Sequence, residues 1–156
     1  MENVIISKAA FSDLDSVLQL QKMAFFSEAE KNKDENATTT QSFDSIKNEF
    51  ENYLFLKAEY GNNIVGCVKA REKGELCWIE KLVVVPQFQK KGIGSSLMSE
   101  IEKAFPDTRL YLLCTGTRTP ENLEFYESLG YKKRDLSKDG KKQSLFVKHV
   151  KQNLKS

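Results

Sequence analysis

Residues 82–98 read Leu-Val-Val-Val-Pro-Gln-Phe-Gln-Lys-Lys-Gly-Ile-Gly-Ser-Ser-Leu-Met, and this stretch decides the fold of the chain. An apolar, β-branched run stops at Pro86, a glycine-rich turn follows at 89–94, and an amphipathic helix continues from it. Amides at a helix N-terminus have no partner within the helix, and the helix dipole favours negative charge there. Gly92 and Gly94 allow close approach of a ligand to the backbone, and two neighbouring lysines add positive charge. The turn therefore predicts a site for a phosphate-bearing ligand.

The bulk composition sets the class of protein. Of the 156 residues, 40% are hydrophobic and 29% are charged, which is ordinary for a soluble globular protein. The length predicts one domain, residues 1–156, large enough to bury a core without disulfides or metal. The formal net charge of +2 is too small to indicate a nucleic-acid partner, because such proteins carry a concentrated basic face.

The cysteines and the termini predict the compartment. Cys67, Cys77 and Cys114 are odd in number, lack a Cys-x-x-Cys pair and lie in apolar runs, so we interpret them as buried small hydrophobic residues. They predict neither disulfides nor a metal site. The N-terminus has no signal-peptide pattern, and no apolar run is long enough to span a bilayer. We therefore expect a cytoplasmic protein with no membrane partner.

The hydrophobic periodicity predicts an α/β chain with a mixed sheet. The predicted strands are 4–8, 54–59, 64–73, 76–85, 109–114, 131–135 and 143–150. The predicted helices are about 13–26, 43–53, 93–105 and 119–129. The polar stretch 27–42 is predicted to be a loop, and loops of this length in compact domains tend to be functional or mobile.

Two common phosphate-binding motifs are excluded by spacing. The chain lacks Gly-x-x-x-x-Gly-Lys-Ser/Thr, so the turn is not a P-loop. A dinucleotide fold needs three glycines after the first strand and an acidic residue about 20 positions later, and neither is present. What remains is Gln89-x-x-Gly92-x-Gly94 after a later strand. Alone, this pattern is also compatible with a simple tight turn between a strand and a helix.

Two motifs together give the chain a family resemblance. Val84-Val85-Pro86 followed by Gln89-x-x-Gly92-x-Gly94 resembles the hallmark of the GNAT superfamily of N-acetyltransferases, Arg/Gln-x-x-Gly-x-Gly/Ala after a strand. The second signature of that family, Phe-Tyr-x-x-x-Gly-Phe/Tyr at the end of a helix, is matched by residues 125–131. The motifs stand in the family's order, separated by one helix and one strand. The resemblance as an element order covers about residues 4–148, and its specific motifs lie in 80–131.

The resemblance implies a fold and a cosubstrate. The fold is a central, mostly antiparallel sheet of six to seven strands, splayed between strands 4 and 5 and flanked by about four helices. Acetyl-CoA would place its pyrophosphate on the glycine-rich turn and its pantetheine arm between the splayed strands, with no metal. The implied binding residues are Leu82, Val83 and Val84 on the strand and Gln89, Lys90, Lys91, Gly92, Ile93, Gly94 and Ser95 on the turn.

The resemblance also implies two groups that move protons. Tyr126 occupies the family's general-acid position and would protonate the departing thiolate, although it could instead be a core tyrosine beside Phe125. Glu80 lies two residues before Leu82, where several family members have a carboxylate that deprotonates the amine. An attacking amine is almost wholly protonated at neutral pH, so it needs such a base. The alternative for Glu80 is an exposed strand residue paired with Lys81.

A third contact to the cosubstrate is less well defined. Asn122 stands one helical turn before Tyr126 and is placed to touch the pantetheine arm, as an asparagine on this helix does in relatives. In the commonest form of the motif that asparagine stands one turn earlier, where this chain has Thr119. The sequence leaves open which of the two makes the contact.

The resemblance implies an acceptor only as a class, a small-molecule primary amine or a lysine or N-terminal amine. Four acidic residues of the 27–42 loop would suit a polyamine, an aminoglycoside or a lysine-like amine, but interleaved lysines leave a neutral solvated loop equally open: Glu28, Glu30, Asp34 and Glu35. Sheets of this kind often pair at their edges, so a homodimer is an expectation. The alternatives are a catalytically silent acyl-CoA-binding or sensor domain on this fold and an unrelated α/β module for nucleotides.

Overall fold

The computed structural model describes residues 3–31, 42–115, 120–138 and 141–150. The strands are β1 Val4–Lys8, β2 Leu54–Tyr60, β3 Asn63–Lys73, β4 Leu76–Val84, β5 Leu110–Thr115, β6 Lys132–Lys138 and β7 Lys141–His149. The helices in the described residues are α1 Leu14–Lys31, α2 Phe43–Asn52, α3 Ile93–Lys103 and α4 Pro120–Ser128. This is the predicted order of elements.

The strands form one seven-stranded sheet in the order β1-β2-β3-β4-β5-β7-β6. Within the described residues, β4 and β5 are parallel and the other neighbouring pairs are antiparallel. The β4–β5 pairing joins 76–79 to 110–113 and stops at Ile79 and Leu113. Beyond that point β4 has no ladder partner on its β5 side in the part of the chain that the structure describes, so the two strands separate. The predicted sheet, splayed between strands 4 and 5, is confirmed.

Each face of the sheet has its own hydrophobic core. On one face α3 buries Leu97, Met98 and Ile101 against alternate residues of β2, β3, β4 and β5, together with Tyr131 and Phe146. On the other face α1 and α2 cover a smaller cluster that includes Leu14, Val17, Ile46, Phe55 and Val83. Burying a side chain of this size stabilises the fold by about 1.5–3 kcal/mol. Both layers therefore fix β4 from opposite sides.

The first helix is longer than the sequence predicted. The expected loop at 27–42 was wrong for residues 27–31, because α1 continues to Lys31, and the rest of it up to residue 41 lies outside the described part of the chain. The reason is that Glu-Ala-Glu-Lys at 28–31 consists of strong helix formers that carry no hydrophobic period. Among the described residues, no helix has the length and apolarity needed to cross a bilayer.

The second helix begins and ends at well-defined residues. Ser42 caps it, and its Oγ accepts a hydrogen bond of 3.1 Å from the Ser45 amide. The helix ends where Tyr53 takes an extended conformation, and its amide donates to the Glu49 carbonyl at 2.8 Å. Glu49 and Tyr53 are one turn apart and therefore lie on the same side of α2.

Candidate active site

A β-bulge shapes β4 just before the strands separate. Glu80 pairs with Lys69 and Val83 pairs with Cys67, so two β4 residues stand opposite one β3 residue. Lys81, one of the two, has φ 52°, a left-handed conformation that is uncommon for a residue with a side chain. Glu80 precedes the bulge as the register partner of Lys69, whose side chain contacts Glu49, so Glu80 lies on the face of the sheet that α2 covers. The sequence contains no glycine or proline that would have indicated this bulge.

The glycine-rich turn has the conformation of an anion site. Gly92 is the N-cap of α3 with φ +85°, and a Cβ added there would meet no described atom within 4 Å. The first amide of α3 with a helical partner is that of Ser96, which donates to the Gly92 carbonyl at 3.0 Å. The amides of Ile93, Gly94 and Ser95 precede it and have no partner within the helix. The turn thus offers three backbone donors beside an open space.

Gly94 serves the packing of the turn against α4. A Cβ at this position would lie 3.3 Å from Cζ of Phe125, closer than an ordinary contact. The absent side chain therefore lets the Phe125 ring approach the first turn of α3. This contact links the turn to the helix that carries Tyr126.

Gln89 and the lysines occupy different positions around the turn. The Gln89 Nε2 donates a hydrogen bond of 2.9 Å to the Val84 carbonyl, so this side chain joins the turn to the end of β4. Lys90 and Lys91 are exposed, and Lys90 has φ 61°. Both ammonium groups are therefore available to an anion at the turn.

Tyr126 lies in an aromatic cluster on α4. Its ring centroid is 5.1 Å from that of Phe125, 5.1 Å from that of Phe146 and 6.3 Å from that of Tyr131. The side chain is partly buried, so the cluster fixes its ring. Asn122 belongs to α4 one turn earlier. Its side chain and the whole of Thr119 lie outside the described residues.

Glu80 has one carboxylate oxygen in the interior. Its Oε2 is buried and has no hydrogen-bond partner among the described residues. The Tyr53 hydroxyl faces this carboxylate: burial first, and then a hydrogen bond to Glu80 and its negative charge, raise the pKa of Tyr53 to about 12. Tyr53 is therefore a neutral hydrogen-bond donor throughout the physiological pH range. Glu80 is half-buried, whereas the alternative from sequence described an exposed strand residue.

Three residues near Glu80 were missed by the sequence analysis: Glu49, Tyr53 and Lys69. Lys69 is only 2% exposed and forms an ion pair with Glu49. Its ammonium also lies 4.5 Å from the centroid of the Tyr53 ring. The signal that could have found it is a lysine in the apolar run Ile-Val-Gly-Cys-Val-Lys-Ala at 64–70.

A polar cavity of about 710 Å³ opens between α2 and the end of β3. Tyr53 and Glu49 line it, so the cavity adjoins the Glu80 cluster. Its other lining residues are polar or charged: Ser42, Asp44, Ser45, Asn48, Asn52, Arg71, Glu72 and Lys73. A cavity with these walls suits a hydrophilic ligand.

The fold and the site together define the class of protein. A mixed sheet split between parallel strands β4 and β5, with a glycine-rich turn that offers backbone amides after β4, is the arrangement that the sequence resemblance implied. The family model described as "Acetyltransferase (GNAT) family" matches residues 14–131. The chain therefore belongs to the GNAT family of acetyltransferases.

Individual relatives support the fold at low sequence identity. The uncharacterized protein YyaT of Bacillus subtilis (strain 168) is 24% identical over 147 residues, 92% of this chain and 93% of that protein. PaiA N-acetyltransferase from Thermoplasma acidophilum, solved in complex with coenzyme A, has a TM-score of 0.79 at 18% identity, covering 94% of this chain and 99% of that one. A GNAT acetyltransferase from Elizabethkingia anophelis with acetyl-CoA bound has a TM-score of 0.63 at 15% identity, covering 96% and 100%. The ribosomal-protein-S18-alanine N-acetyltransferase from Escherichia coli has a TM-score of 0.70 at 16% identity, covering 97% and 98%.

Proposed function

We propose that this protein is an N-acetyltransferase that moves the acetyl group of acetyl-CoA to a primary amine by direct attack in a ternary complex. The observation that carries the proposal is Oε2 of Glu80, which is buried without a hydrogen-bond partner among the described residues and belongs to the first β4 residue beyond the β4–β5 ladder. Family membership and structural relatives that bind coenzyme A or acetyl-CoA support it. The chain would act as one domain in the cytoplasm, and a homodimer is compatible with its exposed sheet edges.

The residues present fit acetyl-CoA. The amides of Ile93, Gly94 and Ser95 and the open space at Gly92 suit the pyrophosphate, and Lys90 and Lys91 would add charge attraction. Backbone groups of Leu82, Val83 and Val84, beyond the end of the β4–β5 ladder, would hold the pantetheine arm as an added strand. Gln89 would support the turn through the Val84 carbonyl rather than bind phosphate directly. Asn122 remains a proposed contact.

The protein's part in the chemistry is to move protons. Bound acetyl-CoA supplies the thioester: the N–C bond forms as the C–S bond breaks, and coenzyme A leaves as a thiolate. Glu80 takes the proton that the acceptor ammonium must lose before it can attack, and it returns this proton to solvent. Tyr126 donates its phenolic proton to the departing sulfur and regains one from the positively charged attacking nitrogen as that nitrogen becomes the amide. A backbone amide of residues 82–84 would polarise the thioester carbonyl.

The acceptor is a hydrophilic amine. The cavity beside Tyr53 has polar walls that suit a hydrophilic acceptor, and its acidic residues Asp44 and Glu72 stand beside the cations Arg71 and Lys73. One structural relative is named for an alanine of a ribosomal protein, so a peptide amine belongs in the test beside small molecules.

Thiol release tests the function directly. Purified protein is incubated with acetyl-CoA and, in turn, spermidine, an aminoglycoside, lysine and a peptide with a free N-terminus, and free thiol is measured. We expect acceptor-dependent release with at least one amine. Thermal stabilisation by coenzyme A without release from any amine would favour the silent acyl-CoA-binding domain. Stabilisation by ATP or NAD and none by coenzyme A would reject both and favour a nucleotide module.

Gly92→Ala is expected to weaken binding of coenzyme A as well as the fold. The left-handed φ of +85° makes any side chain cost about 1–2 kcal/mol of unfolding free energy, and the new Cβ enters the open space proposed for phosphate. Gly74→Ala is the matched control, because Gly74 has φ +62° and equally open surroundings in the β3–β4 turn. Denaturation should show a similar loss in both variants, whereas calorimetry should show a raised Kd for coenzyme A in Gly92→Ala alone. Equal affinities would contradict the phosphate site.

A further inference from the structure

Lys69 is a buried cation on β3, directly opposite Glu80 on the neighbouring strand β4. The two residues are register partners on β3 and β4, and side chains in such pairs lie on one face within reach of each other. The Lys69 side chain is 2% exposed, so water does not screen its charge. By position alone, the expected partner of this ammonium is the Glu80 carboxylate.

The ammonium is instead held by α2. Its Nζ donates a hydrogen bond to Oε2 of Glu49 and lies over the Tyr53 ring. Oε2 of Glu80 is left buried without a hydrogen-bond partner among the residues described. Two groups of the same helix, one turn apart, thus determine where the positive charge of Lys69 lies.

We infer that Glu49 is a positioning residue, which keeps the Lys69 ammonium in an ion pair with itself, so that Lys69 does not pair with Glu80 and the Glu80 carboxylate can accept the proton of the acceptor amine. The inference rests on the proposed function, in which Glu80 is the general base. An ammonium paired with Glu80 would stabilise the charged carboxylate and make it a weaker base. Among the described residues, the charged and titratable groups around Glu80 are Glu49 from α2, Tyr53 at the C-cap of α2, Lys69 and Arg71 from β3, and Lys81 on β4.

The test is a titration of Glu80 in variants that change this charge balance. Glu49→Gln keeps the shape of the side chain but leaves the Lys69 charge uncompensated, so the Glu80 carboxyl should titrate at a lower pH than in the parent protein. Lys69→Met removes the cation and leaves Glu49 as a second negative charge near Glu80, so the titration midpoint of Glu80 should rise. In the double variant both charges are absent, and the midpoint should return to that of the parent protein.

The readout requires no acceptor. Protein labelled with ¹³C at glutamate side-chain carboxyls is titrated by NMR, and the Glu80 signal is assigned by its loss in Glu80→Gln. Opposite shifts in the single variants and restoration in the double variant would support the inference. An unchanged midpoint in Glu49→Gln, or the same midpoint in the single and double variants, would overturn it. If Glu49→Gln does not fold, Lys69→Met and the double variant provide the test. The inference is then overturned if the titration midpoint of Glu80 does not rise in Lys69→Met.

Failure of the inference and failure of the proposed function give different results. Thiol release by Glu80→Gln at the parent rate would remove Glu80 as the base, whatever the titration shows. Impaired release by Glu80→Gln together with an unmoved midpoint in Glu49→Gln would keep the base and reject the role of Glu49. A purely structural ion pair would lower stability in Glu49→Gln without moving the Glu80 midpoint.

Discussion

Replacing Glu80 with Gln is expected to lower kcat/KM for acetylation of an amine by about 10²- to 10⁴-fold, the range for loss of a general base. The amide keeps the size and the polar contacts of the side chain but cannot take a proton from an ammonium. The affinity for coenzyme A should not change, because the proposed phosphate and pantetheine contacts lie on 82–84 and 89–95. Steady-state thiol release and calorimetry with coenzyme A measure the two quantities.

The comparison for this variant is Glu75→Gln. Glu75 lies in the turn between β3 and β4, its side chain is 66% exposed, and it is far along the strand from Glu80. Loss of one surface carboxylate should leave both kcat/KM and coenzyme A affinity at parent values. Parent activity in Glu80→Gln would remove the base from the mechanism. At high pH more of the amine is already deprotonated, so kcat/KM of Glu80→Gln should come closer to that of the parent protein.

Tyr126→Phe is expected to lower kcat by roughly 10²-fold, the lower end of the range for proton transfer by a positioned side chain. The phenylalanine ring keeps the contacts with Phe125, Phe146 and Tyr131, so only the proton donor is lost. Acyl thioesters of more acidic thiols should be affected less, because their thiolates leave without needing protonation. The measurement is the loss of kcat in Tyr126→Phe relative to the parent protein, first with acetyl-CoA and then with an acetyl thioester of a more acidic thiol.

Tyr131→Phe is the matched control for the aromatic cluster. The Tyr131 hydroxyl donates a hydrogen bond of 3.0 Å to Oε2 of Glu102, on the side of the core that contains α3. Its loss should cost about 1.5–3 kcal/mol of unfolding free energy, as for hydrogen bonds to charged groups, and leave kcat close to the parent value. If Tyr126→Phe lowers stability to the same extent and leaves kcat unchanged, Tyr126 is a core tyrosine and not the acid.

Much of the fold could be predicted from sequence because its signals are local. The glycine-rich turn, the β-branched run before it and the period of α3 each arise from neighbouring residues, and Val4–Lys8 was predicted with the bounds that the structure has. The end of α1 was predicted too early, because 28–31 form a helix without a hydrophobic stripe. The role of Gly94 was understood only in part, since the contact that requires a glycine there comes from Phe125 on a distant helix.

The candidate site was also predicted only where its signals are local in sequence. The sequence identified Glu80, Tyr126 and the turn at 89–95 as candidates by motif and spacing. It could not identify the bulge at Lys81, because a bulge is a mismatch of register between two strands and leaves no mark on either strand alone. It also could not identify the hydrogen bond from Gln89 to the end of β4, which depends on how the turn folds back.

By itself, the sequence determined the family, the order of the elements and the turn that suits a phosphate, because backbone freedom at glycine and side-chain periodicity act between near neighbours in the chain. Only the tertiary structure decided the surroundings of Glu80. Glu49, Lys69 and Glu80 come from a helix and two strands, and the charge of Lys69 could pair with either carboxylate. Which ion pair forms depends on the packing of α2 against the sheet. Because buried charges are not screened by water and interact strongly, the pairing of Lys69 determines the charge environment of Glu80.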